Sequence, residues 1–392
     1  MSNNTPYYEY DLGLLDQTLD EVKVQTDFHG YHVHYALKAN NNDQILDIVR
    51  SHGLGADCVS GNEVLKAIEM GFRSDQIVFA GVGKSDAEIN IGLSHDIFCF
   101  NCESLHELEV INELAAGMHK TARIALRINP NINANTHHYI TTGLEENKFG
   151  INSWEFDQVI DLLSKSPNLQ CIGLHFHIGS QITDLVVFKN LARAVNDINQ
   201  WFIERGLAIS LINLGGGLGI DYENPNENPI PNFKAYFDTF SKHLKLQPQQ
   251  EVHFELGRSI VGQCGSLISQ VLFVKEGLHK TFLILDGGMT ELLRPALYQS
   301  QHYIENISKD DLPSAKYDVV GPICESSDCF GEQVPLPVSH RGDLIAIRSS
   351  GAYGEVMSSR YNLRELNTSV YKKIKFNINL NGRDQAEIME QL

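Results

Sequence analysis

Short apolar runs recur along the first two thirds of the chain, at 31–37, 55–60, 77–80, 97–100, 123–128, 171–177, 211–214 and 252–255. Each has the length of a strand, and the stretches between them carry apolar residues three and four positions apart, the spacing of a helix face. After the second, third and fourth runs the helical stretch opens with Ser-x-x-Glu: Ser60/Glu63, Ser85/Glu88 and Ser104/Glu107. In such a box the serine accepts from an orphan amide of the first turn and the glutamate reaches back. Eight strand–helix alternations in about 225 residues predict an α/β chain with a (β/α)8 barrel, over 25–258, rather than an open doubly wound sheet. From Ser259 the rhythm changes. Apolar segments at 260–275, 281–286, 317–321, 343–348 and 370–378 are separated by turns, which predicts a second, all-β, sandwich-like domain. Residues 1–24, with a short strand at 7–10 and a short helix at 12–22, precede the repeat and are grouped with 259–392. The stretch 129–150 shows neither period. A loop of that length reads as a lid over the barrel mouth or as a disordered insertion.

At 392 residues and 42% hydrophobic composition the chain can bury a large core. Its apolar runs fall far short of the roughly 20 residues of a membrane span, and residues 1–10 lack a basic, apolar signal pattern. A soluble, cytoplasmic protein is expected. A formal charge of −18 argues against nucleic-acid and anionic-membrane partners. The seven scattered cysteines do not form a disulfide framework. Cys99 and Cys102 make a lone CxxC inside an apolar run, where a structural role is favoured over redox or zinc chemistry.

Candidate chemistry collects at the ends of the predicted strands. Lys38 follows the first run, in HYALKAN, and a partly desolvated lysine at the C-terminal mouth of a barrel has the lowered pKa that imine formation needs. Taken alone it is also readable as a surface lysine. The sixth run ends in HFHIGSQ, which puts His175 and His177 on one face. They suit stacking on a flat ring, metal binding or a core role, and Ser180 suits a phosphate. The seventh run leads into GGGLG (Gly215, Gly216, Gly217, Gly219), either a tight turn or the phosphate loop common after barrel strands seven and eight. The eighth ends at Glu255, before Leu256, Gly257 and Arg258. A carboxylate there keeps a pyridine nitrogen protonated or pairs with Arg258.

Taken together and in order, YALKAN, GADCVSGNE, GVGKSDAEI, the 139–150 loop, GLHFHIGSQ, INLGGGLG, ELGR, DGGMTELLRPALY, CESSD and GAYGEVMSSRYN resemble the motifs of the fold-type III pyridoxal-phosphate decarboxylases across about residues 7–365. The nearest branch is the one that converts meso-2,6-diaminopimelate to L-lysine and CO2. The resemblance implies pyridoxal 5'-phosphate on Lys38, with His177 stacked on its ring and Glu255 at the pyridine nitrogen. Ser180, Gly216, Gly217, the amides of Gly257 and Arg258, and Tyr353 would hold the phosphate, and Asp57 would help to place Lys38. Arg258, Arg294 and Tyr298 would take the distal carboxylate of the substrate, Glu325 its distal ammonium, and Cys324 would reprotonate the α-carbon. The resemblance also implies a homodimer in which Cys324, Glu325 and Tyr353 reach the neighbour's barrel.

Two positions depart from the family pattern: Leu256 stands where EPGR has proline, and Arg360 where MSSNYN has asparagine. Rival readings are weaker. Alanine racemases of this fold pair the ring nitrogen with arginine, which disfavours them given Glu255. The ornithine-type branch, with its lysine and carboxynorspermidine relatives, characteristically has aspartate in place of Glu325 and lacks a second substrate carboxylate. A metal-dependent barrel hydrolase would need its His-x-His on the first strand and further histidines. A non-catalytic carrier of the cofactor is disfavoured because Cys324, Glu325 and both arginines are present.

Overall fold

The computed structural model describes residues 4–132, 148–377 and 385–390. Strand β1 (Tyr7–Asp11) and helix α1 (Leu12–His29) come first. Eight parallel strands then close a barrel: β2 (Tyr31–Ala36), β3 (Gly55–Cys58), β4 (Ile77–Phe79), β5 (Cys99–Cys102), β6 (Ala122–Ile128), β7 (Leu169–Phe176), β8 (Leu211–Asn213) and β9 (Glu251–Leu256). Closure is made by β2 pairing with β9, with His32 opposite His253 and His34 opposite Glu255. Helices α2 (Asp43–Ser51), α3 (Gly61–Glu69), α4 (Asp86–Ser94), α5 (Leu105–Gly117), α6 (Phe156–Ser164), α7 (Leu185–Glu204) and α8 (Phe233–His243) lie between the strands in sequence. Parallel strands covered on both faces are apolar along their whole length. Ile77, Val78 and Phe79 of β4 are accordingly all fully buried. The helices bury one stripe, as Ile45, Leu46 and Val49 do on α2.

The serine–glutamate boxes cap α3, α4 and α5. Ser60 and Ser104 accept from the amides of Glu63 and Glu107. Glu63 and Glu107 reach one residue further back than expected, to the amides of Val59 and Glu103. Glu88 accepts from both the amide and the hydroxyl of Ser85, and its other oxygen accepts from the Gly61 amide of α3. One carboxylate thus joins two neighbouring helix starts.

The remaining strands are β10 (Gly265–Glu276), β11 (Thr281–Leu285), β12 (Ile304–Asn306), β13 (Ala315–Val320), β14 (Cys329–Leu336), β15 (Leu344–Ile347), β16 (Thr368–Asn377) and β17 (Gln385–Glu390). They run β14-β13-β11-β10-β1-β16-β17, with β15 pairing both β10 and β12. A register shift between Val271 and Phe273 lets β10 change partners, from β1 and β15 in its first half to β11 in its second. The pattern of apolar runs missed β12, β14 and β17.

The chain divides into a barrel unit, Leu19–Gly219 with Asn232–Gly257, and a β unit formed by the stretch up to Thr18, Ile220–Pro231 and Arg258–Leu392. This differs from the expected 25–258 at both ends and in the middle. The 220–231 segment interrupts the barrel in sequence yet groups with the β unit, because Tyr222 accepts from Arg258, and Gln263 donates to the carbonyls of Asp221 and Asn228. Among the described residues no helix is long and apolar enough to cross a membrane. All seven cysteines are free. Burial holds the thiols of Cys99 and Cys102 well above their usual range, which leaves that CxxC inert.

Candidate active site

In the barrel unit, Lys38 lies just past β2 in a single 3-10 turn, Leu37–Ala39, rather than on the strand. Its Nζ donates to Asp57 Oδ2 at 2.7 Å. Asp57 is fully buried on β3, opposite Ala36, and its Oδ1 has no hydrogen-bond partner. Burial and then the Glu255 carboxylate push the Asp57 carboxyl up to about 7, with Lys38 pulling the other way.

Glu255, one residue before the end of β9, is buried among three donors. Asn101 of β5 and Asn213 of β8 each donate to Oε1 at 2.8 Å, and His175 Nε2 of β7 lies 2.9 Å from Oε2. Burial alone would raise this carboxyl. The His175 imidazole outweighs it by charge and hydrogen bond, with Lys38 adding to it, and holds the carboxyl well below the usual carboxylate range. A carboxylate offers about four acceptor directions, and these donors take three, so the remaining one lies on Oε2.

His177 follows β7 and accepts the Gly216 amide on Nδ1 at 3.3 Å. Burial, followed by Arg127 and Lys38, keeps its imidazole well below the usual histidine range, so it is a neutral ring with its proton on Nε2. The glycine loop is drawn against the ends of β7 and β9. A Cβ on Gly216 would stand 2.0 Å from the Glu255 carbonyl oxygen, and Gly217 has φ +106°. Only glycine fits either position. Gly217 O accepts from Ile182, which ties the loop to the segment carrying Ser180, a half-buried residue. Gly257, directly after β9, packs on the Lys38 turn, where a Cβ would come 2.9 Å from Ala39 Cβ.

In the β unit, Arg258 and Arg294 are both buried. Arg258 Nη1 donates to the Tyr222 hydroxyl at 2.5 Å, and its guanidinium lies 4.9 Å from the Tyr353 ring centre. Arg294 lies 4.9 Å over the Tyr222 ring, and its Nη1 is 3.0 Å from His302 Nε2. Since His302 Nδ1 donates to the Arg348 carbonyl, its Nε2 is an acceptor. Burial and then Arg294 push His302 down to about 3. The buried Nε of Arg294 has no hydrogen-bond partner. Tyr298 sits one helical turn after Arg294 in the short helix Arg294–Tyr298, on the same side. Cys324 and Glu325 are exposed, and Glu325 accepts the Tyr361 hydroxyl at 2.7 Å.

The structure thus brings Lys38, Asp57, His177, Gly216, Gly217 and Glu255 together in one unit, and Arg258, Arg294, Tyr298 and Tyr353 in the other. Sequence reasoning missed Asn101, Asn213, Tyr222 and His302, and it left His175 undecided. Asparagine inside an apolar barrel run was the available signal for the first two. Leu256 continues β9 as a buried residue, and Arg360 is exposed. Residues 133–147, most of the expected lid, lie outside the described residues.

Pyridoxal phosphate fits the barrel set: an amine, a neutral ring, a glycine cradle no Cβ could enter, and an ionised carboxylate with one acceptor direction open.

Residues 17–262 match the family model of the pyridoxal-dependent decarboxylase, pyridoxal binding domain. The diaminopimelate decarboxylase of Bacteroides thetaiotaomicron is 56% identical over 363 residues, 92% of this chain and 94% of that one. That of Aquifex aeolicus is 37% identical over 92% of this chain and 84% of its own. Among solved structures, Helicobacter pylori diaminopimelate decarboxylase complexed with L-lysine superposes with a TM-score of 0.88 at 38% identity, covering 98% of this chain and 94% of that one. An arginine decarboxylase from Paramecium bursaria Chlorella virus, 21% identical, shares the fold alone. At 56% identity to one such enzyme over 92% of its own length, and with the pyridoxal-binding model matched, the chain belongs to the diaminopimelate decarboxylase family of pyridoxal-dependent decarboxylases.

Proposed function

We propose that the protein decarboxylates meso-2,6-diaminopimelate at its D-centre, releasing CO2 and L-lysine, with pyridoxal phosphate carried on Lys38 in a homodimer. The observation that carries this reading is the state of Glu255, a buried carboxylate held ionised by His175 and by two asparagines. Pyridoxal phosphate, when bound, supplies a protonated ring that accepts the electron pair freed as CO2 leaves.

The chain's own residues do the rest. With the cofactor bound, Glu255 would keep the ring nitrogen protonated. His177, being neutral, covers the ring without competing for its charge. Asp57 holds the Lys38 amine at 2.7 Å, and because its carboxyl titrates near neutrality it is a proton site beside that amine. Ser180, Gly216, Gly217, the amides of Gly257 and Arg258, and Tyr353 take the phosphate; the Gly216 amide shares itself with His177. Arg294, with Arg258 and Tyr298, takes the distal carboxylate, for which the unpartnered Arg294 Nε supplies a donor. Glu325 takes the distal ammonium, and Cys324 of the neighbouring subunit returns a proton to the α-carbon.

The test is product analysis after incubating the purified protein and pyridoxal phosphate with meso-diaminopimelate, ornithine and L-lysine in parallel. Stoichiometric lysine and CO2 from the first alone is expected. A preference for ornithine or lysine would overturn the assignment.

A further inference from the structure

At the N-terminal ends of the barrel strands, the ends away from Lys38, an open cavity of about 660 Å³ is lined by His32, His34, Glu251 and His253, among others. His32 and His34 are two residues apart on β2, as Glu251 and His253 are on β9, so each pair shares a face of its strand. His32 and His253 are register partners across the seam that closes the barrel, and their rings lie 4.6 Å apart. One donor atom from each of His32, Glu251 and His253 falls within 4.8 Å of the others, and His253 Nε2 stands 3.7 Å from Glu251 Oε2.

The hydrogen bonds behind this trio settle which nitrogen faces it. His34 Nδ1 lies 2.9 Å from the Gln76 carbonyl, which can only accept, so that nitrogen carries a proton. His34 is buried and forms no bond to a carboxylate, so it is the neutral imidazole and its Nε2 is an acceptor. That Nε2 lies 2.8 Å from His253 Nδ1, which must therefore donate. His253 is itself buried with no carboxylate within hydrogen-bond distance, so it is neutral as well and is left with a bare lone pair on Nε2. This atom is buried, has no hydrogen-bond partner, and belongs to a residue only 5% exposed. A metal-binding histidine is ordinarily prepared this way, its other nitrogen donating to a fixed acceptor.

We infer that His32, Glu251 and His253 form a site for one divalent transition-metal ion, zinc being the best match to two imidazoles and a carboxylate. Around a tetrahedral zinc, with bonds of about 2.0–2.1 Å, donor atoms stand roughly 3.3 Å apart. The exposed side chains of His32 and Glu251 need shift only by about an ångström to close on the fixed His253 nitrogen. Three protein ligands leave the fourth position to water from the cavity. Since the ligands come from β2 and β9, the ion would clamp the first and last strands of the barrel and act on stability.

The experiment is calorimetric titration of zinc chloride into the tag-free holoenzyme, beside His32→Ala and Glu251→Gln, two exposed positions whose change leaves the core intact. One equivalent of zinc bound by the wild type, at least tenfold weaker binding in each variant, and a zinc-dependent rise in Tm lost in both are expected. Unchanged affinity in either variant would overturn the site. So would a cobalt-loaded protein whose absorption shows a sulfur-to-metal charge-transfer band, because the ion would then sit on cysteine.

Discussion

Asp57 is an acid whose pKa is raised by burial first and by the Glu255 carboxylate second, against the pull of Lys38. Its folded value of about 7 exceeds the unfolded one of about 4. Between those values the folded chain keeps a proton that the unfolded chain has released, so stability falls as pH rises through that window and flattens above about 7. Asp57→Asn should remove this slope, as read from urea unfolding of the cofactor-free protein between pH 5 and pH 8; an unchanged slope would assign it to other groups. Arg294 belongs to the same scale. Removing one partner of a buried arginine–carboxylate pair costs about 3–5 kcal/mol, so Arg294→Ala should lower kcat/KM for meso-diaminopimelate by several hundredfold or more, with pyridoxal phosphate affinity nearly unchanged. A matched loss of cofactor would show that Arg294 is structural. Residues of this kind differ in how legible they are. Lys38, His177 and Glu255 stand at the ends of strand-sized apolar runs, and strand ends in a barrel are where chemistry sits. Asn101 reaches Glu255 across 154 positions, and His302 meets Arg294 from a stretch outside any helix or strand. Such partners are chosen by tertiary packing and leave no local trace.

Elements were legible in proportion to how fully they are buried. The barrel strands write near-continuous apolar runs because both faces are covered, and α3, α4 and α5 announce their starts with serine and glutamate. Strand β14 does neither. It exposes Glu332 and Gln333, and Gln333 takes a positive φ of 52° beside an irregular pairing with β13. The cap shared by α3 and α4 makes a prediction at this scale. Glu88→Ala removes the acceptor for Ser85 and for Gly61, and should destabilise the protein by about 1–2 kcal/mol, measured as a shift in denaturation midpoint. Hydrogen bonds from the Gly61 and Ser85 amides hold the Glu88 carboxyl below its usual range, so this contribution is full above pH ~4.5 and fades on acidification. The variant and the wild type should therefore converge in acid.

For the whole molecule, the proposed dimer joins Lys38 of one subunit to Cys324 of the other. Cys324 and Glu325 are exposed on the isolated chain, where a proton donor serving only its own subunit gains nothing from solvent contact. Mixing inactive Lys38→Ala and Cys324→Ala proteins under conditions of subunit exchange should restore about a quarter of wild-type activity, since half the dimers are mixed and each holds one intact site. Mixed dimers that form without regaining activity would place both residues in the same subunit's site.

The placement of β1 has a consequence for how the protein is made. Tyr7 pairs with Ile268 on one side and with Thr368 on the other. At about 5–20 residues per second, the ribosome delivers the second partner on the order of tens of seconds after the strand itself has emerged. For the later part of that interval β1 has β10 on one side and an open edge on the other, and an open strand edge is what chaperones bind and proteases cut. Nascent chains stalled after residue 300 should be cleaved at 7–11 by a protease that spares chains stalled past the C-terminus, and equal protection in both would mean that β1 finds cover before β16 exists.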